Sequence, residues 1–533
     1  MSARQTIPDP VRAGLAQGWQ VVSGAAQKAD IAWDCDVAVI GSGAGGGMAA
    51  ELLAKAGLKV VIVEEGGLFS SSDFRLLESK AYAELYQECA SRKTADKAIS
   101  ILQGRAVGGS TVVNWTSSFR TPPETLRWWQ QKHGLAGLGE AQMQPWFEQA
   151  EARLGIGDWT APPNPNNAVL ERGCQTLGLR HARIRRNVKG CWNLGYCGMG
   201  CPTNAKQSML VTTIPAALEK GARLLTRARV ERLETEGDRI AAVGGRLLMS
   251  DGVYPSGYRF RIRARQVVLA AGAIGSPAIM LRSDLADRAG HTGKRTFLHP
   301  VALSAALMPE RVEPFNGAPQ TVYSDHFMHT QPLDGPLGYK LEVPPIHPLL
   351  ASATFPGFGR EQAALMAQLP HLHATLALLR DGFHPESRGG TVKLRGDGSP
   401  VLDYPLGEAE WDGVRRSWLT MAELQFAAGA RQVMVLHENA RLANSWAAAR
   451  EQIAALPLKP LLARIVSAHV MGGMAMSDAP ERGVVDENGR HWQWRNLTVA
   501  DGSAFPTSVG ANPQLSIYAF ALRAASLLRE RMA

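Results

Sequence analysis

The chain has 533 residues, 45% hydrophobic and 20% charged, with a net charge of +9. That length allows a large core shared between two or three domains, and the composition is that of an ordinary globular protein rather than a disordered or fibrous one. The modest positive charge comes without a long basic run, which argues against nucleic acid as a partner and leaves peripheral contact with an anionic membrane surface open. No stretch reaches 18 consecutive apolar residues, so no transmembrane helix is expected. The opening stretch, Met1 to Gly18, lacks the apolar core of a secretory signal, and a cytoplasmic location is expected. Six cysteines are too few for a disulfide framework at this size.

Asp9-Pro10 predicts an N-cap followed by a proline that opens a short helix. The stretch from Cys35 to Gly66 then sets the frame for the rest. Val37 to Ile40 is an apolar run that reads as a buried parallel strand. The glycine turn Gly41-Ser42-Gly43-Ala44-Gly45-Gly46 follows at once. Gly41 permits the tight turn, Gly43 lets a pyrophosphate approach the backbone, and Gly46 lets the next helix pack closely. That helix is predicted from about Gly46 to Ala56, with Gly57 suited to its C-cap. A second strand, Lys59 to Val63, ends at Glu64, about 20 residues beyond the glycines, where an acid can accept hydrogen bonds from a ribose. Strand, glycine turn, helix, strand and acid in this order predict a dinucleotide site, with phosphates at the helix N-terminus.

Leu76, Leu77, Tyr82, Leu85 and Tyr86 recur at helical spacing. Gly104-Arg105-Ala106-Val107-Gly108-Gly109-Ser110-Thr111-Val112-Val113-Asn114-Trp115 places paired glycines beside small hydroxyls, as suits a backbone pressed against a flat ligand. Residues 121–158 read as helices, 161–165 as a loop, and Met209 to Leu218 as a helix. Arg223 to Leu233 and Gln266 to Ala271 read as strands, the second turning into a helix through Gly272-Ala273-Ile274-Gly275-Ser276-Pro277. The middle, from Leu298 to about Leu456, mixes strands (Val301 to Leu307, Thr391 to Leu394, Val433 to Leu436) with amphipathic helices at about 361–380 and 408–428. It carries no nucleotide motif. Two later pieces stand out, Ala468-His469-Val470-Met471-Gly472-Gly473-Met474 and Val499-Ala500-Asp501-Gly502, the latter running on to Gly510-Ala511-Asn512-Pro513.

Together these motifs resemble the glucose–methanol–choline (GMC) family of flavin oxidoreductases over nearly the whole chain. Gly104 to Phe119 resembles the first family signature, Gly272 to Ser283 the second, and Asn496 to Leu528 the C-terminal block. Phe119 to Trp129, Val169 to Leu179 and Tyr196 to Ser208 are similar to long-chain (fatty) alcohol oxidases. The plant members carry membrane-spanning segments, and that part of the likeness does not transfer. The resemblance implies a mixed α/β fold: a Rossmann-like FAD-binding domain (1–120, 190–297 and 460–533) and a substrate-binding domain built on a β-sheet flanked by helices (121–189 and 298–459).

By resemblance, Glu64 holds the adenosine ribose, Val230 touches the adenine, and Gly104, Arg105, Gly108, Gly109, Ser110, Thr111 and Asn114 line the flavin. Ala271, Gly272, Asp501, Gly502 and Pro513 complete the cofactor site. Some relatives attach FAD through a histidine just before the residue matching Asn114. Here that position is Val113, so non-covalent FAD is expected.

The catalytic pair of the family matches His469 and Asn512. Alcohol oxidation removes a hydroxyl proton and moves a hydride to flavin N5. An imidazole with a pKa near the working pH suits the proton step, and an amide orients the oxygen without adding charge. The organic chemistry belongs to the cofactor. His299, where relatives show Asp-His-Pro, reads as structural.

Cys191, Cys197 and Cys201 form C-x5-C-x3-C, a spacing that in related sugar dehydrogenases holds an iron–sulfur cluster. Reduced cysteines in a compact turn are the favoured reading here. Cys35, Cys89 and Cys174 read as ordinary small apolar residues. The leading expectation is FAD-dependent oxidation of a primary, long-chain or hydrophobic alcohol, with oxygen, a quinone or another acceptor. The alternatives are an FAD/iron–sulfur sugar or polyol dehydrogenase with a partner subunit, and a non-redox relative such as a hydroxynitrile lyase or fatty-acid photodecarboxylase.

Overall fold

Asp9 caps the helix Pro10–Ala16, its carboxylate accepting from the Arg12 backbone N–H at 3.0 Å. The computed structural model describes residues 7–533, so residues 1–6, which begin the stretch read for a secretory signal, lie outside the described residues.

Two large sheets organise the chain. The first runs Val21–Ser23, Arg223–Thr226, Val60–Val63, Ile31–Ile40, Pro255–Leu269, Arg239–Leu248, Ala228–Glu236. Its first five strands are parallel, and Arg239–Leu248 and then Ala228–Glu236 are added by antiparallel pairing. Leu497–Val499 joins from the far end of the chain, in parallel register with Val267–Leu269. Val60–Val63 is buried throughout, as a strand covered on both faces must be. Helix Ala44–Lys55 covers one face, starting two residues earlier than predicted, and the final helix Gln514–Met532 packs against it. The predicted strand from Arg223 to Leu233 is broken at Arg227, which adopts a left-handed φ of 52°. The helix predicted from Met209 forms only over Thr213–Glu219.

The second sheet runs Ile99–Ile101, Ile465–Ser467, Val301–Leu307, Leu372–Leu379, Tyr339–Glu342, Val322–Ser324, Ala182–Arg183, with Gln432–Val435 also paired to Val301–Leu307. Helix Glu408–Ala427 packs on it. Residues 372–379, expected to be helical, form a central strand with every residue buried. The helix there ends at Ala367. A short Leu- and Ala-rich run has no periodicity that separates a buried strand from a buried helix.

Glu88, Cys89 and Ala90 are three consecutive non-glycine residues with positive φ (49°, 53°, 62°). Cys89 is exposed there rather than packed in a core, whereas Cys35 and Cys174 are buried.

Candidate active site

The parallel strands of the first sheet end on one side of it, where residues at their carboxyl ends, Ile40, Val63 and Ala270 among them, line the cavity described below. Ile31–Ile40 runs into Gly41, whose φ of +95° and close approach to the Ala270 carbonyl leave no room for a Cβ. Gly43 stands at the N-cap of helix Ala44–Lys55 with no side-chain cap. A Cβ on Gly43 would meet nothing closer than Gly109 Cα at 3.7 Å. The space left by its missing side chain therefore opens into the cavity described below. Gly46 differs: a Cβ there would lie 1.9 Å from the Gly41 carbonyl oxygen, so it serves helix packing. Gly45, which the sequence did not single out, is as crowded, 1.6 Å from the Ala500 oxygen.

Glu64 is buried, and its carboxylate accepts three hydrogen bonds. Ser42 donates its backbone N–H (3.0 Å) and hydroxyl (2.6 Å), and Gly66 donates its N–H (2.8 Å). Burial pushes the Glu64 carboxyl up. A carboxylate has about four lone-pair sites, so one remains for a ligand hydroxyl. Ser42 also accepts from the Gly108 N–H at 3.0 Å, which ties the glycine turn to the second glycine loop.

In that loop Asn114 donates its amide to Gln514 at 2.6 Å, while its Oδ1 is buried without a partner. Asp501 accepts from the Gly272 N–H (2.8 Å) and the Ser276 hydroxyl (2.6 Å) with one oxygen, and from Ser503 with the other. It fastens the helix Gly272–Arg282 to the C-terminal block, and burial pushes its carboxyl up.

His469 lies between two strands, Ile465–Ser467 and Val470–Gly472. Its Nδ1 is 3.0 Å from Nδ1 of His299, which is buried. Burial, with the Lys340 ammonium nearby, pushes the His469 imidazole down to about 3. His299 falls well below its ordinary value for the same reasons, burial first and then His469, Lys340 and Arg380. Asn512 is held by two residues of strand Tyr339–Glu342: Lys340 donates to its Oδ1, and its Nδ2 donates to Glu342 at 3.2 Å. Lys340 and Glu342 are themselves an ion pair at 2.9 Å, with side chains 4% and 0% exposed. The Lys340 ammonium also sits 3.5 Å from the Phe119 ring centroid.

All this converges on one cavity of about 1560 Å³. Gly41, Gly43, Ala44, Glu64, Gly104, Arg105, Gly109, Ser110, Thr111, Asn114, Val230, Ala271, Gly272, Asp501, Gly502, Pro513, His469 and Asn512 line it. Ser42, Gly46 and Gly108 stand behind the wall. The sequence missed Lys340 and Glu342, whose strand shows no motif, and it gave His299 only a structural place although it touches His469.

Sequence profiles of the GMC oxidoreductase family match residues 82–301 and 385–521, and a profile of an FAD binding domain matches residues 36–75. The chain belongs to the GMC oxidoreductase family. Among its relatives, a long-chain-alcohol oxidase of Arabidopsis thaliana is 30% identical over 91% of this chain, which spans 66% of that relative's length. An uncharacterised GMC-type oxidoreductase of Mycobacterium tuberculosis is 32% identical over 92% of this chain and 75% of its own. Pyridoxine 4-oxidase from Mesorbium loti shares the fold, with a TM-score of 0.66, 19% identity and coverage of 93% and 99% of the two chains. The cofactor of this GMC oxidoreductase is FAD. The open side of Gly43, the uncapped helix N-terminus, the spare lone pair of Glu64 and the orphaned Asn114 Oδ1 fit a dinucleotide of that shape.

Cys191, Cys197 and Cys201 are free thiols in this GMC oxidoreductase, and no group of three or more metal-binding side chains is assembled among the described residues. Their loop is anchored instead by Lys206. Its buried ammonium donates to the carbonyls of Val112 (2.7 Å), Asn114 (2.6 Å) and Cys197 (2.7 Å). Burial pulls the Lys206 amine down to about 8. No helix among the described residues is long and apolar enough to cross a membrane.

Proposed function

We propose that this GMC oxidoreductase uses FAD to oxidise a primary, long-chain or otherwise hydrophobic alcohol to the aldehyde, with His469 as base and Asn512 orienting the substrate oxygen. The observation that carries this reading is the meeting of His469 and Asn512, 43 residues apart in sequence, in the cavity that the glycine turn opens. Val301, Leu376, Leu378 and Val466 line the same cavity and offer an alkyl chain an apolar wall. The likeness to long-chain-alcohol oxidases supports that substrate class.

FAD, when bound, supplies the hydride acceptor. The chain's own residues do the rest. Burial keeps the His469 imidazole unprotonated at neutral pH, ready to accept the hydroxyl proton. The proton on the His299–His469 bond must sit on His469 Nδ1 for Nε2 to present its lone pair. The second N–H of Asn512 is free to donate to the developing alkoxide. Glu64 takes the ribose, Val230 the adenine, and the loop from Gly104 to Asn114 the flavin, held without a covalent bond because Val113 offers no nucleophile. Residues 1–120, 190–297 and 460–533 form the cofactor half in this reading, and 121–189 and 298–459 the substrate half. Oxygen or a quinone takes the electrons onward.

The test is anaerobic mixing of the FAD-loaded protein with alcohols of rising chain length, followed by oxygen or a quinone. Bleaching that quickens with chain length supports the reading, and a flavin that no alcohol bleaches sinks it.

A further inference from the structure

We propose that Lys340 and Glu342 are positioning residues: a buried ion pair that grips Asn512 by both ends of its amide and aims its remaining N–H at the substrate oxygen. The inference rests on the alcohol-oxidising reading of the same site and deepens it. The two side chains are two residues apart on strand Tyr339–Glu342, so they share one face of the sheet. Both are buried, and both reach Asn512 across more than 160 residues of chain.

The chemistry of the two partners fixes the amide. An ammonium only donates, so the atom facing Lys340 must be Oδ1. A carboxylate only accepts, so the atom facing Glu342 must be Nδ2. An asparagine with one partner can flip; one held between a donor and an acceptor cannot. One N–H goes to Glu342, and the other is left for the cavity that Asn512 shares with His469. A buried ion pair is poor evidence of stability, because desolvating two charges offsets their attraction. Its presence beside the reacting atoms therefore calls for a functional account.

The ammonium also acts on the two imidazoles. The charged and titratable groups around them are His299 against His469, Lys340 with Glu342, Arg380 beside Glu124, and Asp325 farther along. Lys340 opposes protonation of both rings. One residue thus orients the hydrogen-bond donor and keeps the base in its proton-accepting form.

The test compares wild type with K340M, K340M/E342Q, N512A and the triple combination, each loaded with FAD. The double variant replaces the pair by neutral groups of similar volume, so it stands in should K340M alone fail to hold flavin. The limiting rate of flavin reduction by alcohol should fall about 10²-fold in the double variant, the scale of a misplaced reacting group. At about pH 8, where His469 stays unprotonated with or without the ammonium, the same change should cost nothing further in the N512A background, because the remaining effect passes through Asn512. Without turnover, the NMR titration of His469 should move to higher pH, and the Asn512 side-chain amide signals should change. Wild-type reduction rates in the double variant, losses that multiply in the N512A background, or unaltered His469 and Asn512 signals would overturn the proposal. A wild-type protein that no alcohol reduces would instead sink the alcohol reading, leaving the two NMR measurements to judge the clamp.

Discussion

His299 and His469 meet edge to face, their rings at 86° and their Nδ1 atoms 3.0 Å apart. A hydrogen bond between two imidazole Nδ1 atoms holds one proton, so one ring must present a lone pair there. The pair cannot be doubly charged while the bond exists.

The first prediction is the shape of the pH dependence. The folded His469 imidazole lies near 3, below its ordinary value, so it becomes protonated only in strong acid. Flavin reduction by alcohol should therefore show no His469 limb between about pH 8 and about pH 5, where an unperturbed histidine would titrate. Anaerobic stopped-flow across that range checks this. A loss centred where free imidazole titrates would contradict it.

His469→Ala should keep its yellow FAD and lose alcohol-driven reduction by about 10³-fold or more, since both base and orientation vanish. His299→Phe should keep FAD as well and lose about 10- to 10²-fold, because His469 Nδ1 then has no acceptor to fix its tautomer. Single-turnover reduction measures both. Equal effects from the two changes would mean that His299 itself touches the substrate.

Two glycines of one turn should fail in different ways. Gly43→Val starts its side chain in ordinary contact distance, with Gly109 Cα 3.7 Å from the Cβ, so the protein should fold with the melting temperature of flavin-stripped wild type but purify without flavin. Gly46→Ala forces a Cβ against the Gly41 carbonyl, so it should lower the melting temperature itself. Flavin-to-protein ratio and thermal melts, taken side by side, separate the two.

Asp381 predicts a pH-dependent stability. It is buried, accepts from the Tyr404 hydroxyl and the Gly382 N–H, and lies near Glu410, to which Ser387 donates while itself accepting from the Gly382 N–H. Burial and then the Glu410 carboxylate raise its carboxyl above the ordinary range. The fold therefore keeps a proton that the unfolded chain has released above roughly pH 4. That contribution is whole at low pH and is lost as pH rises through the raised folded value. Asp381→Asn removes the dependence. Melting temperatures of the two proteins should be close at about pH 5 and separate, in the variant's favour, toward about pH 8. A difference independent of pH would refute the assignment.

The glycine-turn side of the cavity was legible in the sequence because its elements follow one another in local order. Strand, turn, helix and acid follow within Cys35 to Gly66, and Gly41, Gly43, Ala44, Gly45 and Glu64 of that stretch line the cavity. The surroundings of Asn512 were not legible. Lys340 and Glu342 lie in Tyr-Lys-Leu-Glu, an alternation that reads as an ordinary half-exposed strand, yet all four residues are buried. Their partner is 170 residues or more away, and the strand is held inside the sheet by Leu372–Leu379 on one side and Val322–Ser324 on the other. The second of those strands was itself misread as helix. Ser42 and Gly46 were legible as motif residues, but the sequence could not show that they stand behind the wall.

Leu497–Val499 completes the first sheet beside Val267–Leu269, and Gly45 fits against Ala500 with no room to spare. During translation, then, the glycine turn waits for a strand made long after it, and the sheet stays unfinished until that strand emerges. A chain cut before Leu497 would leave the sheet open, a product that chaperones and proteases see as unfolded.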